Sequence, residues 1–262
     1  MNISLKNKHA LVCGSTQGIG KAIAQELAKN GANVILFARN KERLASVVQE
    51  LDTSSGQKHD FLVADFGHPD QVLNSLDQYL EQNRSFDILV NNTGGPPQGE
   101  LAESDPEALL NAFKAHIINN QNLVRRLAPG MKQSGYGRII NVISISVKTP
   151  IAGLGVSNTI RGAAASWAKT LSGELGPYGI TVNNILPGYT KTGRLDDLFK
   201  KKAEEAGISH AAYEQQASEK IPARRLGLPE EMGYAAAFLA SPAAAYINGI
   251  NLPVDGGITP TL

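Results

Sequence analysis

Gly14, Gly18 and Gly20 stand within His9 to Gly20 (HALVCGSTQGIG), directly after the apolar run Ala10 to Cys13 and directly before a segment with helical periodicity. Strand, glycine turn and helix start, in that order, make a seat for a phosphate anion. Gly14 lets the chain leave the strand in a tight turn, Gly18 lets backbone N–H groups approach a pyrophosphate, and Gly20 lets the helix pack close to the strand. The helix from Gly18 to Asn30 then aims the positive end of its dipole and its unpaired N–H groups at that anion. The spacing is GxxxGxG, a variant of the more common GxGxxG. Glycines also mark plain turns, so the trio acquires meaning only from its surroundings.

Those surroundings are balanced in charge. The 262 residues carry 25 basic and 24 acidic side chains, with no block of like charge to suggest nucleic acid or an anionic membrane, so a small molecule is the expected partner. Cys13 is the only cysteine, which excludes an internal disulfide, and the opening MNISLKNKHA has no apolar core of the kind a secretory signal needs. A cytoplasmic location is expected. No run approaches the roughly 18 apolar residues of a membrane span.

Strands and helices alternate along the chain. Asn33 to Ala38 reads as a second strand, Lys41 to Asp52 as a helix with Leu44, Val47, Val48 and Leu51 on one face, and Phe61 to Ala64 as a third strand ending at Asp65. Pro69 opens a helix to about Asn83, Asp87 to Val90 is a fourth strand, and Asn91 to Pro97 is a Gly/Pro-rich loop. A long helix from Asp105-Pro106 to about Gln133, with Gly130 as a soft point, precedes a fifth strand from Arg138 to Ile143. Ser157 to Leu175 reads as a helix rich in small residues, Ile180 to Leu186 as a sixth strand, and 194 to 220 as a charged helical segment that covers something. Pro229 to Ala240 and Ile250 to Val254 supply a last helix and strand. This alternation predicts one α/β domain, a Rossmann-type doubly wound parallel sheet of about seven strands with ligands at the strands' carboxyl ends. Residues 190–225 are expected on its substrate side.

Together these motifs resemble the short-chain dehydrogenases/reductases over essentially the whole chain: GSTQGIG, Asp65, NNTG where the family has NNAG, GRIINVIS leading to a serine, PGYTKT and VDGG. The look is closest to 3-oxoacyl carrier protein reductases. The resemblance implies hydride transfer between NAD(P) and a carbonyl or alcohol, no metal, and a homodimer or homotetramer built through two long helices. It also assigns cofactor contacts to Gly14, Ser15, Thr16, Gln17, Gly18, Ile19, Gly20, Asp65, Asn91, Gly94, Pro187, Gly188 and Thr192.

The family works with an Asn, a Ser, a Tyr and a Lys. By register the serine is Ser144, whereas the Tyr and Lys positions hold Ser157 and Arg161 and the Asn position holds His116. A serine hydroxyl is a far weaker acid than a phenol, and Arg stays protonated, so the family mechanism does not transfer intact. His116 is the one substituted group with an ordinary pKa suited to proton transfer at neutral pH. It is therefore the expected proton source, directly or through a water, with Ser144 and Arg161 holding the substrate oxygen; Arg161, at the lysine position, is also expected to contact the cofactor by binding a ribose hydroxyl. The blander alternatives are a His116 that only bonds within the helices and a Ser157 that serves as a helix N-cap. Tyr189, on a loop, is a further candidate to replace the missing phenol, though loop tyrosines usually just pack; Lys148 and Lys191 are expected beside it at the pocket's border.

At the end of the second strand the family places an acid for NAD or a base for NADP. Here Leu36-Phe37-Ala38-Arg39-Asn40 has no acid, and Arg39 is placed to pair with a 2′-phosphate, so NADP(H) is expected over NAD(H). Two functions remain open: an NADP(H)-dependent oxidoreductase acting on a carbonyl/alcohol or activated double bond, and a non-catalytic nucleotide-binding sensor or scaffold.

Overall fold

Strands that read as unbroken apolar runs need cover on both faces, and the computed structural model, which describes residues 1–82 and 84–261, provides it. β1 (His9–Cys13), β2 (Asn33–Ala38), β3 (Asp60–Val63), β4 (Ile88–Asn91), β5 (Gly137–Val142), β6 (Ile180–Pro187) and β7 (Asn251–Val254) form one sheet in the order β3-β2-β1-β4-β5-β6-β7. Every pairing is parallel. The order reverses between β1 and β4, and a crevice opens there at the strands' carboxyl ends.

Alternation along β1 divides the core. Ala10 and Val12 point into a cluster with Ile23 and Leu27 of α1 (Gly18–Lys29) and Met232 and Ala236 of a late helix, Pro229–Ala240. Leu11 and Cys13 point the other way, among Val72 and Leu76 of the helix Pro69–Leu80, Leu123 and Leu127. Burial pushes the Cys13 thiol far above its ordinary range, so it packs as an apolar group.

Taken in order, the helices after α1 are α2 (Lys41–Gln49), α3 (Pro69–Leu80), α4 (Pro106–Phe113), α5 (Asn119–Ser134), α6 (Gly155–Leu175), α7 (Gly193–Ala206), α8 (His210–Glu219) and α9 (Pro229–Ala240). The expected reach of α3 to Asn83 lies outside the described residues. The single long helix expected from 105 to 133 carries its irregularity at a π-helical turn, Lys114–Ile118, between α4 and α5. Gly130 sits within unbroken helix. A π-turn widens the ring of backbone hydrogen bonds and redirects one side chain; here it turns the His116 ring into the protein. The charged segment at 194 to 220 resolves into two helices, because Gly207 adopts a left-handed conformation (φ +65°) that ends α7. Among the described residues no helix is long and apolar enough to cross a membrane.

An unforeseen polar ladder crosses four strands. Asn91 Nδ2 donates to Asn141 Oδ1, Asn141 to Asn184, and Asn184 to Asn251, each at 2.8 Å. These residues are paired by register in β4, β5, β6 and β7, so parallel strands bring four amides into one row.

α9 is anchored at its start by Glu231, whose carboxylate accepts from the Leu228 N–H at 2.7 Å and takes both arms of Arg225 at 2.6 and 2.8 Å. These bonds, Arg225 foremost, hold its carboxyl at about 2. Glu231→Gln is expected to cost about 1 kcal/mol in urea unfolding at neutral pH. A carboxylate with a lowered folded pKa stabilises above its ordinary value and loses that effect as pH falls. The gap between wild type and variant should therefore close between about pH 4.5 and 2.

Candidate active site

A cleft of about 910 Å³ runs across the carboxyl edge of the sheet, within the ~300–1,000 Å³ usual for small-molecule sites. One part of its wall is the glycine turn. Gly14 and Gly18 have φ of +60° and +55°, which L side chains rarely adopt, and with Thr16, Gln17 and Ile19 they line the cleft. Gln17 caps α1 without a side-chain hydrogen bond, and no acid stands in the helix's first turn. The first N–H groups of α1 thus receive no side-chain cap where a pyrophosphate would lie.

Gly20 serves packing, because a Cβ there would lie 2.2 Å from the Gly14 carbonyl oxygen. Ser15 is corrected: it is fully buried and its hydroxyl accepts from the Phe37 N–H at 3.0 Å, tying the turn to β2 beneath the cleft. Asn91 is corrected likewise. It heads the buried ladder instead of lining the cleft, and Asn92, Thr93 and Gly94 form the wall.

At one end Arg39 and Asp65 border the cleft as expected. Arg43, which sequence reading missed, joins them: its N–H is capped by Asn40 Oδ1 at 2.8 Å and its guanidinium reaches Gln17 Oε1 at 3.0 Å. The signal was its spacing, one helical turn after Arg39.

At the other end Ser144, Ser157 and Arg161 come together with Thr93, Thr190, Pro187, Gly188 and Thr192. Ser144 Oγ accepts from Ser146 N–H at 3.0 Å, leaving its own proton free to donate. Ser157 is not an N-cap. Leu154 holds that place, and Ser157 lies inside the first turn of α6, buried and facing the cleft. One turn on, Arg161 donates to the Val142 carbonyl at 2.8 Å while its Nε has no protein partner. Burial first, then the cation of Arg194, pulls Arg161 down to about 10, still charged at neutral pH.

His116 is corrected from proton source to loop anchor. It is 3% exposed and absent from the cleft wall. Its Nδ1 sits 2.9 Å from Thr93 Oγ1, and the Gly94 carbonyl also accepts from the ring. Burial, reinforced by Arg161, holds the imidazole at about 3, so it is neutral through the physiological range. Tyr189 packs against Phe199 at 5.6 Å in the cluster under α7 and α8, and Lys191 pairs with Glu214 at 3.4 Å. Neither lines the cleft. Lys148 closes the short turn Ile145–Val147 that follows Ser144.

The second missed residue is Arg194, at the start of α7. It donates to the Pro96 carbonyl at 3.2 Å, and its guanidinium lies against Gly95 so closely that a Cβ there would overlap it. Leu195 and Leu198 of α7 complete the wall.

Residues 14–259 match the family model described as enoyl-(acyl carrier protein) reductase. The chain belongs to the short-chain dehydrogenase/reductase family. It is 30% identical over 254 residues to the NADPH-dependent reductase BacG of Bacillus subtilis, covering 97% of this chain and 98% of that one. To the 3-oxoacyl-[acyl-carrier-protein] reductase FabG of Vibrio cholerae it is 32% identical over 256 residues, covering 98% and 99%. The crystal structure of L-sorbose reductase from Gluconobacter frateurii, complexed with NADPH and L-sorbose, superposes with a TM-score of 0.93 at 31% identity over the full length of both chains. The expected fold class, seven parallel strands in one doubly wound domain, is the observed one.

Proposed function

We propose that this protein is an NADPH-dependent reductase whose cleft reduces an activated double bond or a carbonyl without a tyrosine acid. One observation carries the reading: a single cleft joins Arg39 and Arg43, the glycine turn, and the group Ser144, Ser157 and Arg161. The residues fit the cofactor. The positive-φ glycines and the start of α1 suit a pyrophosphate, Arg39 and Arg43 suit a 2′-phosphate, and no acid stands at the end of β2. Bound there, NADPH supplies a hydride.

The chain's own residues then handle the developing charge. As a hydride reaches carbon, negative charge gathers on the substrate oxygen, and Arg161 with the Ser144 and Ser157 hydroxyls stabilises it. Among the described residues the wall around them holds no tyrosine, histidine or carboxylate. The proton therefore comes from water, to carbon after reduction of a double bond or to oxygen after reduction of a ketone. An enolate is much less basic than an alkoxide, so a fixed cation and two hydroxyls suit the double bond better. His116 positions Thr93 and Gly94. α7 and α8 are the substrate-side cover. Leu110, Phe113 and Ile118, exposed along α4 and the π-turn, suit self-association through the long helices.

Fluorescence titration tests the cofactor assignment. NADPH is expected to bind at least about tenfold tighter than NADH, and Arg39→Ala to weaken NADPH by about 10- to 100-fold with NADH nearly unchanged. Equal affinity for the two cofactors would contradict it. Tight NADPH binding without turnover of any enone or ketone would favour the non-catalytic sensor.

A further inference from the structure

The group Ser144, Ser157 and Arg161 shares the cleft wall with a second cation, Arg194. Arg39 and Arg43 face one end, beside Asp65, which among the described residues is the only acid in the wall. Arg161 and Arg194 face the other end, and neither has a carboxylate partner among the described residues. Each guanidinium has five N–H donors. Arg161, 8% exposed as a residue, spends one on the Val142 carbonyl and keeps a buried, unpartnered Nε; Arg194 spends one on the Pro96 carbonyl. The two cations also disfavour each other, since Arg194 lowers the Arg161 pKa. Arg161 is buried and Arg194 stands exposed at the wall, and a buried cation without a counter-charge is costly unless an anion joins it.

A neutral carbonyl answers only one of them, and only as its charge develops. We propose that the substrate itself carries a carboxylate close to the reacting carbon, held by Arg194 while Arg161 faces the oxygen on which charge develops. The planar fork of Arg matches a carboxylate in two parallel bonds. The start of α7, where Arg194 lies, adds its positive dipole end. Leu154, Leu195 and Leu198 offer an apolar wall to the rest of the molecule. The substrate class is thus a short 2-oxo or α,β-unsaturated acid with an apolar body. An acyl thioester has no charge at that distance, so carrier-protein substrates are disfavoured. This inference rests on the reductase reading above.

Calorimetric titration of the protein saturated with NADP⁺ separates the two. The probes are short and aryl-bearing 2-oxo and α,β-unsaturated acids, each beside its methyl ester. At least one acid is expected to bind about tenfold or more tightly than its ester, as loss of a charge-assisted pair implies. Arg194→Gln should erase that difference with NADP⁺ affinity retained, while Lys202→Gln, a cation on α7 that does not line the cleft, should keep it. No acid surpassing its ester, or a preference that survives Arg194→Gln, overturns the proposal and leaves the cofactor assignment standing. Failure of the protein to bind NADP⁺ at all overturns both.

Discussion

Replacing Arg161 with leucine is expected to lower kcat/KM by on the order of 10²- to 10³-fold, the range for losing one oxyanion-stabilising donor from a dry site. The loss should fall mainly on kcat, because the charge that Arg161 faces develops only as the substrate is reduced. NADPH affinity should change by less than about tenfold, since the glycine turn and Arg39 lie at the other end of the cleft. Stability needs a separate measurement. The variant orphans the Val142 carbonyl, which costs about 1–3 kcal/mol, yet it also removes a buried cation that Arg194 repels. Arg161→Lys keeps charge but loses the fork, and a buried ammonium beside Arg194 sheds its proton more readily, so partial activity that declines at higher pH is expected. Unchanged turnover in Arg161→Leu would mean that the two serines suffice and that Arg161 only clamps α6 to β5.

The second large effect separates two glycines two residues apart. In Gly20→Ala the new Cβ would lie 2.2 Å from the Gly14 carbonyl oxygen and 2.5 Å from Asn92 Nδ2. The carbonyl is backbone and has nowhere to go, so α1 must lift from β1 and loosen the packing of Ile23 and Leu27. A loss of about 3 kcal/mol in urea unfolding is expected, at the upper end of overpacking. Gly18→Ala meets only Thr192 Cγ2 at 3.2 Å, but it forces an L side chain to φ +55°, a cost of about 1–2 kcal/mol. That protein should fold, yet bind NADPH about 100-fold more weakly, because the methyl group fills the approach to the helix's first N–H groups. Wild-type affinity in Gly18→Ala would remove the turn from the cofactor site, and wild-type stability in Gly20→Ala would refute the packing argument.

Much of this was legible in the chain itself. Apolar runs of strand length alternating with amphipathic helices have few ways to bury both sheet faces, so the doubly wound sheet followed from periodicity. That the glycine turn, Arg39 and Asp65 border one cleft was legible because the residues just after parallel strands gather at one edge of the sheet. What the tertiary structure decided was where side chains of known position point and what surrounds them. The spacing that assigned His116 to the family's Asn position carried no sign that a π-turn would bury its ring against Thr93 and Gly94 and keep it neutral. Asn91 and Asn141 read as pocket and strand residues until parallel register set them in one row. Arg194 read as one cation in a charged helix, because its meaning depends on residues 33 and 98 positions earlier, Arg161 and Pro96. Local sequence determines what a segment becomes; desolvation and pairing depend on neighbours distant in the chain, and those two terms decide which groups bear charge in the cleft.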